Sequence, residues 1–156
     1  MEEASRRAWL AFVQAEQAYW ESMGELREID LIQTLREGLA HAPWRRPALA
    51  VLRASNVAYS VQLLPELFDL AGEAHSMLSE VRRCIRRIPK DVLERELPAL
   101  LDRLIAGQES DDEAYRRTAE LLRLLELPSL LAFLVSAASA SADPDIREVA
   151  EDFRDG

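Results

Sequence analysis

Two histidines and one cysteine are the first candidates for chemistry in this 156-residue sequence. His41 and His75 stand far apart and belong to no metal-binding spacing such as HExxH. Cys84 follows Arg82 and Arg83, whose charges would lower its pKa and make it reactive. The alternative for Cys84 is a small buried apolar residue. We favour surface or turn histidines and a buried cysteine, and we expect neither a metal site nor a cofactor.

Two charged clusters are the remaining candidates. The acidic cluster consists of Glu109, Asp111, Asp112 and Glu113. Such a cluster can chelate a hard cation, but without an Asp-x-Asp-x-Asp-Gly loop we favour helix capping and placement at a positive helix N-terminus. The arginine strip consists of Arg82, Arg83, Arg86 and Arg87. Pairs four residues apart share one helix face, so the strip can hold a phosphate or an acidic peptide, or can be a solvated face. We take both clusters as candidate partner-binding residues.

No catalytic motif accompanies these clusters. The sequence contains neither a glycine-rich phosphate loop nor a Gly-x-Ser-x-Gly elbow. With 28 acidic and 19 basic residues, the net charge is -9, which opposes binding to nucleic acid and to anionic membranes and favours a basic protein partner. The acidic start Met1-Glu2-Glu3 is unlike a signal peptide, so a cytoplasmic protein is expected. All basic residues except Lys90 are arginine, which suggests a bacterial gene rich in GC.

Leucine, alanine, glutamate and arginine dominate the sequence, which predicts helix almost throughout. A first helix is expected from about Glu2 to Met23, with Trp9 and Trp20 on one apolar stripe. We favour packing of these tryptophans in the core or as a cap, and the alternative is that they anchor an interface. From Tyr59 onwards the pattern repeats. Leu-Pro pairs recur at nearly equal intervals and end at Pro65, Pro98 and Pro128.

A second helix with an apolar-Arg pair follows each proline. The pairs are Val81-Arg82, Tyr115-Arg116 and Ile146-Arg147, and each begins at nearly the same distance after its proline. Two helices in each period of this length are typical of helical repeats. In the last period, Leu127-Pro128 is followed by an Asp143-Pro144 turn and then by the Ile146-Arg147 pair.

This arrangement resembles the HEAT repeat of the armadillo-type α-solenoids. The resemblance implies an all-α fold, namely a short right-handed superhelix of about three HEAT-like helix pairs with an N-terminal capping helix. The single domain 1–156 would comprise a capping helix (1–24), a degenerate helix pair (26–56) and three HEAT-like pairs (59–156). It also implies that Arg82, Arg116 and Arg147 pair with acidic residues between neighbouring repeats.

Such folds usually bind other proteins, so we expect a non-enzymatic protein–protein interaction module. By analogy of size and charge, it would suit a bacterial immunity protein or antitoxin that binds a basic toxin. Two alternatives stay open. One is a HEAT-like nucleic-acid binder or DNA glycosylase-type enzyme that uses the arginine strip. The other is a scaffold or adaptor subunit of a larger complex.

Overall fold

The computed structural model describes residues 3–25, 30–107 and 111–154, and these ranges fold into α-helices joined by short turns, with no strand among them. The helices are α1 Glu3–Glu25, α2 Leu31–Ala40, α3 Ala42–Ala54, α4 Val57–Gln62, α5 Leu64–Gly72, α6 Leu78–Arg86, α7 Lys90–Ala106, α8 Asp112–Leu124, α9 Pro128–Ser139 and α10 Pro144–Phe153. The predicted all-α class is therefore confirmed.

Aspartate and proline side chains set several of the helix starts. Asp111 accepts a hydrogen bond from the Ala114 amide at 2.8 Å, and Asp143 accepts one from the Asp145 amide at 2.9 Å. Each bond satisfies an amide that has no partner inside its helix. Proline stands in the first turn of α5, α9 and α10, where its missing N–H leaves no vacancy. These starts are the ones that the Leu-Pro and Asp-Pro pairs predict.

Helix packing combines consecutive pairs with contacts between helices that are distant in the chain. Three consecutive pairs pack closely, namely α2 with α3, α5 with α6, and α9 with α10. By contrast, α8 packs against α5, α9 and α10, and α7 packs against α9. Within the described ranges, α7 and α8 make no comparably extensive contact with each other, and a groove lies between them and the end of α5.

One continuous hydrophobic core joins α2 to α10. Leucine supplies most of it because its long apolar side chain suits both helix formation and burial. Fully buried examples from successive helices are Leu39, Leu52, Leu67, Leu97, Leu121 and Leu134. Gly38 lets α2 approach α3 closely, since a Cβ at this position would lie 3.0 Å from the Cβ of Ala48.

Ion pairs join the helices α3, α6, α8 and α10 in series. Arg53 pairs with Glu80. Arg82 donates to Glu120 at 2.7 Å, and Arg116 donates to Asp152 at 2.6 Å. The hydrogen bond to Asp152 raises the pKa of Arg116 above its ordinary value. Each arginine thus reaches an acidic residue on the next helix of the series.

Arg147 behaves differently from the other two arginines of the apolar-Arg pairs. It donates to the carbonyl oxygens of Ser141 and Ala142, at 2.9 and 2.8 Å. Both acceptors belong to the turn just before α10. Arg147 therefore holds its own turn, whereas the resemblance implies a pair with an acidic residue of a neighbouring repeat.

The first helix, α1, lies outside the core. None of its residues is buried, and only Met23 packs partly against the core. Trp9 and Trp20 are 57% and 58% exposed, so the expectation that they pack in the core or as a cap is wrong. The reason is that α1 makes no extensive contact with another described helix. Neither α1 nor any other helix in the described ranges is long and apolar enough to cross a membrane.

Candidate partner-binding groove

A groove of about 890 Å³ lies where α5, α7 and α8 meet. We call it the acidic groove. Its charged lining residues are Asp69, Glu73, Asp111, Glu113, Arg103 and Arg117. Phe68 and Leu100 add apolar surface to the lining. Carboxylates outnumber guanidinium groups four to two, so the groove combines negative charge with apolar surface.

Three helix ends build the acidic groove. α5 ends at Gly72 and α7 ends at Ala106, while α8 begins at Asp112. Asp111 caps the start of α8, and this cap fixes the turn from which Glu113 projects. Carboxylates here lie near the positive end of the α8 dipole, which stabilises their negative charge.

Two ion pairs organise the arginines of the groove. Arg103, on α7, pairs with Asp69 on α5. Arg117 lies 2.5 Å from Glu113 within α8, and it also donates to the Gly72 carbonyl oxygen at 3.3 Å. The second bond ties α8 to the end of α5. Both arginines are therefore engaged with groups of the groove itself.

Glu73 and Asp69 are the carboxylates that α5 and its C-terminal end contribute. Glu73 is exposed, and its nearest cation is Arg45, at 3.9 Å. Burial raises the pKa of Asp69 above its ordinary value, and the neighbouring charges of Glu66 and Glu73 act in the same direction. Arg103 opposes this shift but does not cancel it. The groove therefore contains a carboxyl group whose negative charge is disfavoured and would gain from an added cation.

The predicted acidic cluster is only partly described. Asp111 and Glu113 line the acidic groove, whereas Asp112 begins α8 without lining it. Glu109 lies outside the described residues. Asp69 and Glu73 were missed by the sequence reasoning. Their signal was a spacing of four residues next to Gly72, the expected end of a helix, which places both on one face.

The predicted arginine strip divides into two kinds of residue. Arg87 donates to the carbonyl oxygens of Leu52 and Arg53, both at 2.8 Å, and Arg82 is bound to Glu120. Since these contacts satisfy carbonyls and a carboxylate of neighbouring helices, both side chains serve the fold.

The other two arginines remain at the surface. Arg83 pairs with Glu80 at 2.9 Å and stays 66% exposed. Arg86 is exposed, with no hydrogen bond or ion pair to another described residue. A second groove, of about 460 Å³, is lined by Arg82, Arg83 and Arg86. Of the predicted strip, Arg83 and Arg86 are thus the residues whose charges face solvent.

The histidines and the cysteine occupy local structural positions. His75 accepts a hydrogen bond from the Met77 amide at 3.0 Å, and its other ring nitrogen lies 2.8 Å from the Leu70 carbonyl oxygen. His41 separates α2 from α3 and stacks edge-on against Trp44. Cys84 is fully buried, and burial raises the pKa of its thiol to about 11. A thiol with that pKa stays protonated at neutral pH and is a poor nucleophile.

No protein-family model, curated protein or solved structure matches this chain. Among the described residues, no group of three His, Cys, Asp or Glu side chains is placed to hold a metal ion.

Proposed function

We propose that this protein is a non-enzymatic protein-binding module whose acidic groove takes up a basic segment of a partner. The observation that carries the proposal is the lining of the groove, in which the carboxylates of Asp69, Glu73, Asp111 and Glu113 occur together with apolar side chains. An arginine or lysine suits such a site, because its methylene stem packs on apolar surface while its charge reaches the carboxylates. The net charge of -9 speeds the encounter with a basic protein.

We further propose that α2 to α10 form a short HEAT-like solenoid. Two periodic features support this architecture. The Leu-Pro pairs recur at nearly equal intervals, and the ion pairs Arg53–Glu80, Arg82–Glu120 and Arg116–Asp152 connect α3 with α6, α6 with α8 and α8 with α10. In solenoids the same nearest-neighbour contacts recur along the stack. On this view the lack of an extensive contact between α7 and α8 is a local opening in the stack that creates the binding groove.

The class of partner follows from charge. A cytoplasmic immunity protein or antitoxin must cover a basic toxin tightly, and an acidic groove with apolar lining provides both long-range attraction and short-range packing. We therefore propose a basic toxin, such as a nuclease, as the partner class. The support is physical, since many unrelated folds perform this role.

The test starts with the partner that co-purifies from host lysate at low salt and is then repeated with both proteins pure. The Asp69→Asn/Glu73→Gln variant should weaken binding by about tenfold or more, because it removes two groove charges. The control is Glu94→Gln/Asp102→Asn, which removes equal charge from exposed positions that do not line the groove. The groove would be refuted as the binding site if both variants weakened partner binding equally, or if neither variant weakened it.

Two other outcomes would replace the proposal. A partner retained at high salt and insensitive to the groove variants would indicate a scaffold or adaptor that uses apolar contacts. A shift of DNA or RNA in an electrophoretic assay at low salt, lost in Arg83→Ala/Arg86→Ala, would indicate a nucleic-acid binder. Arg82 and Arg87 are unsuitable for that assay because their loss would disturb helix contacts.

A further inference from the structure

The helix α1 presents a large apolar surface that the rest of the described chain does not cover. Its exposed large apolar side chains are Trp9, Leu10, Phe12, Val13, Tyr19 and Trp20. Each of them is at least 38% exposed, and no residue of α1 is buried. Scattered apolar residues are common on protein surfaces, but a contiguous set on one helix marks an interaction site.

Three of these residues, Trp9, Val13 and Trp20, fall on a spacing that matches a helix-pairing seam. Positions 9, 13, 16, 20 and 23 alternate steps of four and three residues, as the inward positions of a coiled coil do. Four of them are apolar and Glu16 is the exception, while Met23 also packs partly against the core of its own chain. The rings of Trp9 and Phe12 stack at 5.6 Å, and those of Tyr19 and Trp20 meet edge-on at 5.3 Å. Rings held in this way lose little further freedom when a partner covers them.

The charges of α1 select the kind of partner. Arg6 and Arg7 lie near its positive N-terminal end, whereas Glu21 and Glu25 lie near its negative C-terminal end. Two parallel copies would place like charges side by side. Two antiparallel copies would instead place the arginines of each helix beside the glutamates of the other.

A lipid surface fits this helix poorly. Interfacial helices that bind anionic membranes carry an excess of lysine and arginine on their polar face. α1 has four glutamates and two arginines, and the whole chain is also acidic. Self-pairing satisfies its charges, whereas an anionic membrane would repel them.

We propose that α1 pairs antiparallel with α1 of a second copy of this chain and so forms a homodimer. Pairing about a two-fold axis midway between Trp9 and Trp20 sets Trp9 of one helix opposite Trp20 of the other. It also brings Arg6 and Arg7 within about one helical turn of Glu21 and Glu25. The two-fold symmetry makes every such contact occur twice.

The area available is sufficient for a reversible dimer. Four aromatic side chains of roughly 150–250 Å² each, about half exposed, offer roughly 400 Å² per chain. The exposed side chains of Leu10 and Val13 add to this area. The total approaches the roughly 800 Å² per partner of a standard interface, and we expect a dissociation constant in about the micromolar range.

Sedimentation velocity of the full chain over a wide concentration range tests the pairing. The mass should rise from 17.7 kDa toward twice that value. Trp9→Glu/Trp20→Glu should raise the dissociation constant by about a hundredfold. The midpoint of urea unfolding of this double variant should match that of the parent protein at concentrations low enough for the parent to be monomeric. The reason is that neither tryptophan is buried within the chain.

Charge exchange tests the antiparallel orientation. Arg6→Glu/Arg7→Glu should raise the dissociation constant by about tenfold at low salt, and adding Glu21→Arg/Glu25→Arg should restore it. In a parallel dimer residues 6 and 7 of the two helices face each other. The exchange would then replace repulsion between arginines by repulsion between glutamates, and the dissociation constant would change little. A fourfold variant that fails to recover would therefore refute the orientation.

The seam position of Glu16 provides a test by gain of affinity. Glu16→Leu should lower the dissociation constant by about tenfold, because it removes a carboxylate from an apolar seam. Gln14→Leu, on the opposite face of α1, is the matched control and should change it little. The proposal is overturned if the chain stays monomeric throughout, if the two leucine variants behave alike, or if Trp9→Glu/Trp20→Glu leaves the dimer intact.

Discussion

Arg86 and Arg87 are adjacent arginines with different surroundings. Arg87 donates to three carbonyl oxygens at the end of α3, those of Leu52, Arg53 and Ser55, at 2.8 to 2.9 Å. The last carbonyls of a helix have no partner inside it, so a charged donor there stabilises both the helix end and its contact with α6. Arg86 has no such bond to a described residue.

This contrast makes a matched pair of substitutions. Arg87→Ala should lower the free energy of unfolding by about 1–2 kcal/mol, since it leaves helix-end carbonyls without their charged donor. Arg86→Ala should change it by less than about 0.5 kcal/mol. Urea denaturation followed by circular dichroism provides both values. Equal effects would mean that the α3 carbonyls gain as much from water as from Arg87.

Asp69 is the residue whose protonation should make partner binding in the groove depend on pH. Because burial raises its pKa, it should lose its negative charge, as pH falls, before an ordinary aspartate does. Binding of a basic partner should therefore weaken from a higher pH in the parent protein than in Asp69→Asn. By the same shift, the contribution of Asp69 to folding stability is largest below its ordinary pKa and is lost as pH rises through its raised pKa.

Carbon-13 NMR of the Asp69 carboxyl group checks the direction of the shift. The titration midpoint should lie above the ordinary value of 3.8, and Asp69→Asn should remove that signal. A midpoint below 3.8 would show that the ion pair with Arg103 outweighs burial.

At the scale of elements, α8 is the helix that holds the groove together, because it packs against α5 and against the helices behind it. Its start is capped by Asp111, and its body packs against α5, α9 and α10. Its end closes with two backbone bonds, from the Leu127 amide to the Leu122 carbonyl and from the Glu126 amide to the Arg123 carbonyl. Such a closure needs a left-handed residue, and Glu126 supplies it with φ 56°.

Glycine at position 126 should stabilise the protein. Glu126→Gly relieves the clash of a side chain with left-handed backbone. Glycine also gives the unfolded chain more conformational freedom, which offsets part of this effect, so the free energy of unfolding should rise by about 0.5–1 kcal/mol. The melting temperature should rise by about 1–4 °C for a chain of this size. Glu126→Ala is the control, because it removes the carboxylate but keeps the strained backbone. A gain shared by both variants would point to charge and not to backbone conformation.

At the scale of the whole molecule, the local signals in the sequence predicted the helices well. Pro65, Pro128 and Pro144 fall in the first turns of helices, and Asp111 caps one. These features depend on a few neighbouring residues, which is why they can be predicted without knowing the tertiary packing. The same holds for Gly72, which ends α5 as expected.

The candidate site was only half predictable. Asp111 and Glu113 stand in one acidic run, but Asp69 is distant in the sequence and joins them only through packing of α5 on α8. The spacing of Arg87 from Arg83 predicts a surface strip, yet its position at the end of α6 turns Arg87 toward α3. Amphipathic spacing in α1 predicts an apolar face without specifying what covers it.

The exposure of the tryptophans has a consequence for spectroscopy. Trp9, Trp20 and Trp44 are the three tryptophans of the chain, and each is at least 57% exposed. Indole emission reports the polarity around the ring, and these rings already face water in the folded chain. Tryptophan fluorescence is therefore a weak reporter of unfolding for this protein and a sensitive one for any event that covers α1. Emission from these rings monitors association, whereas backbone circular dichroism monitors the fold.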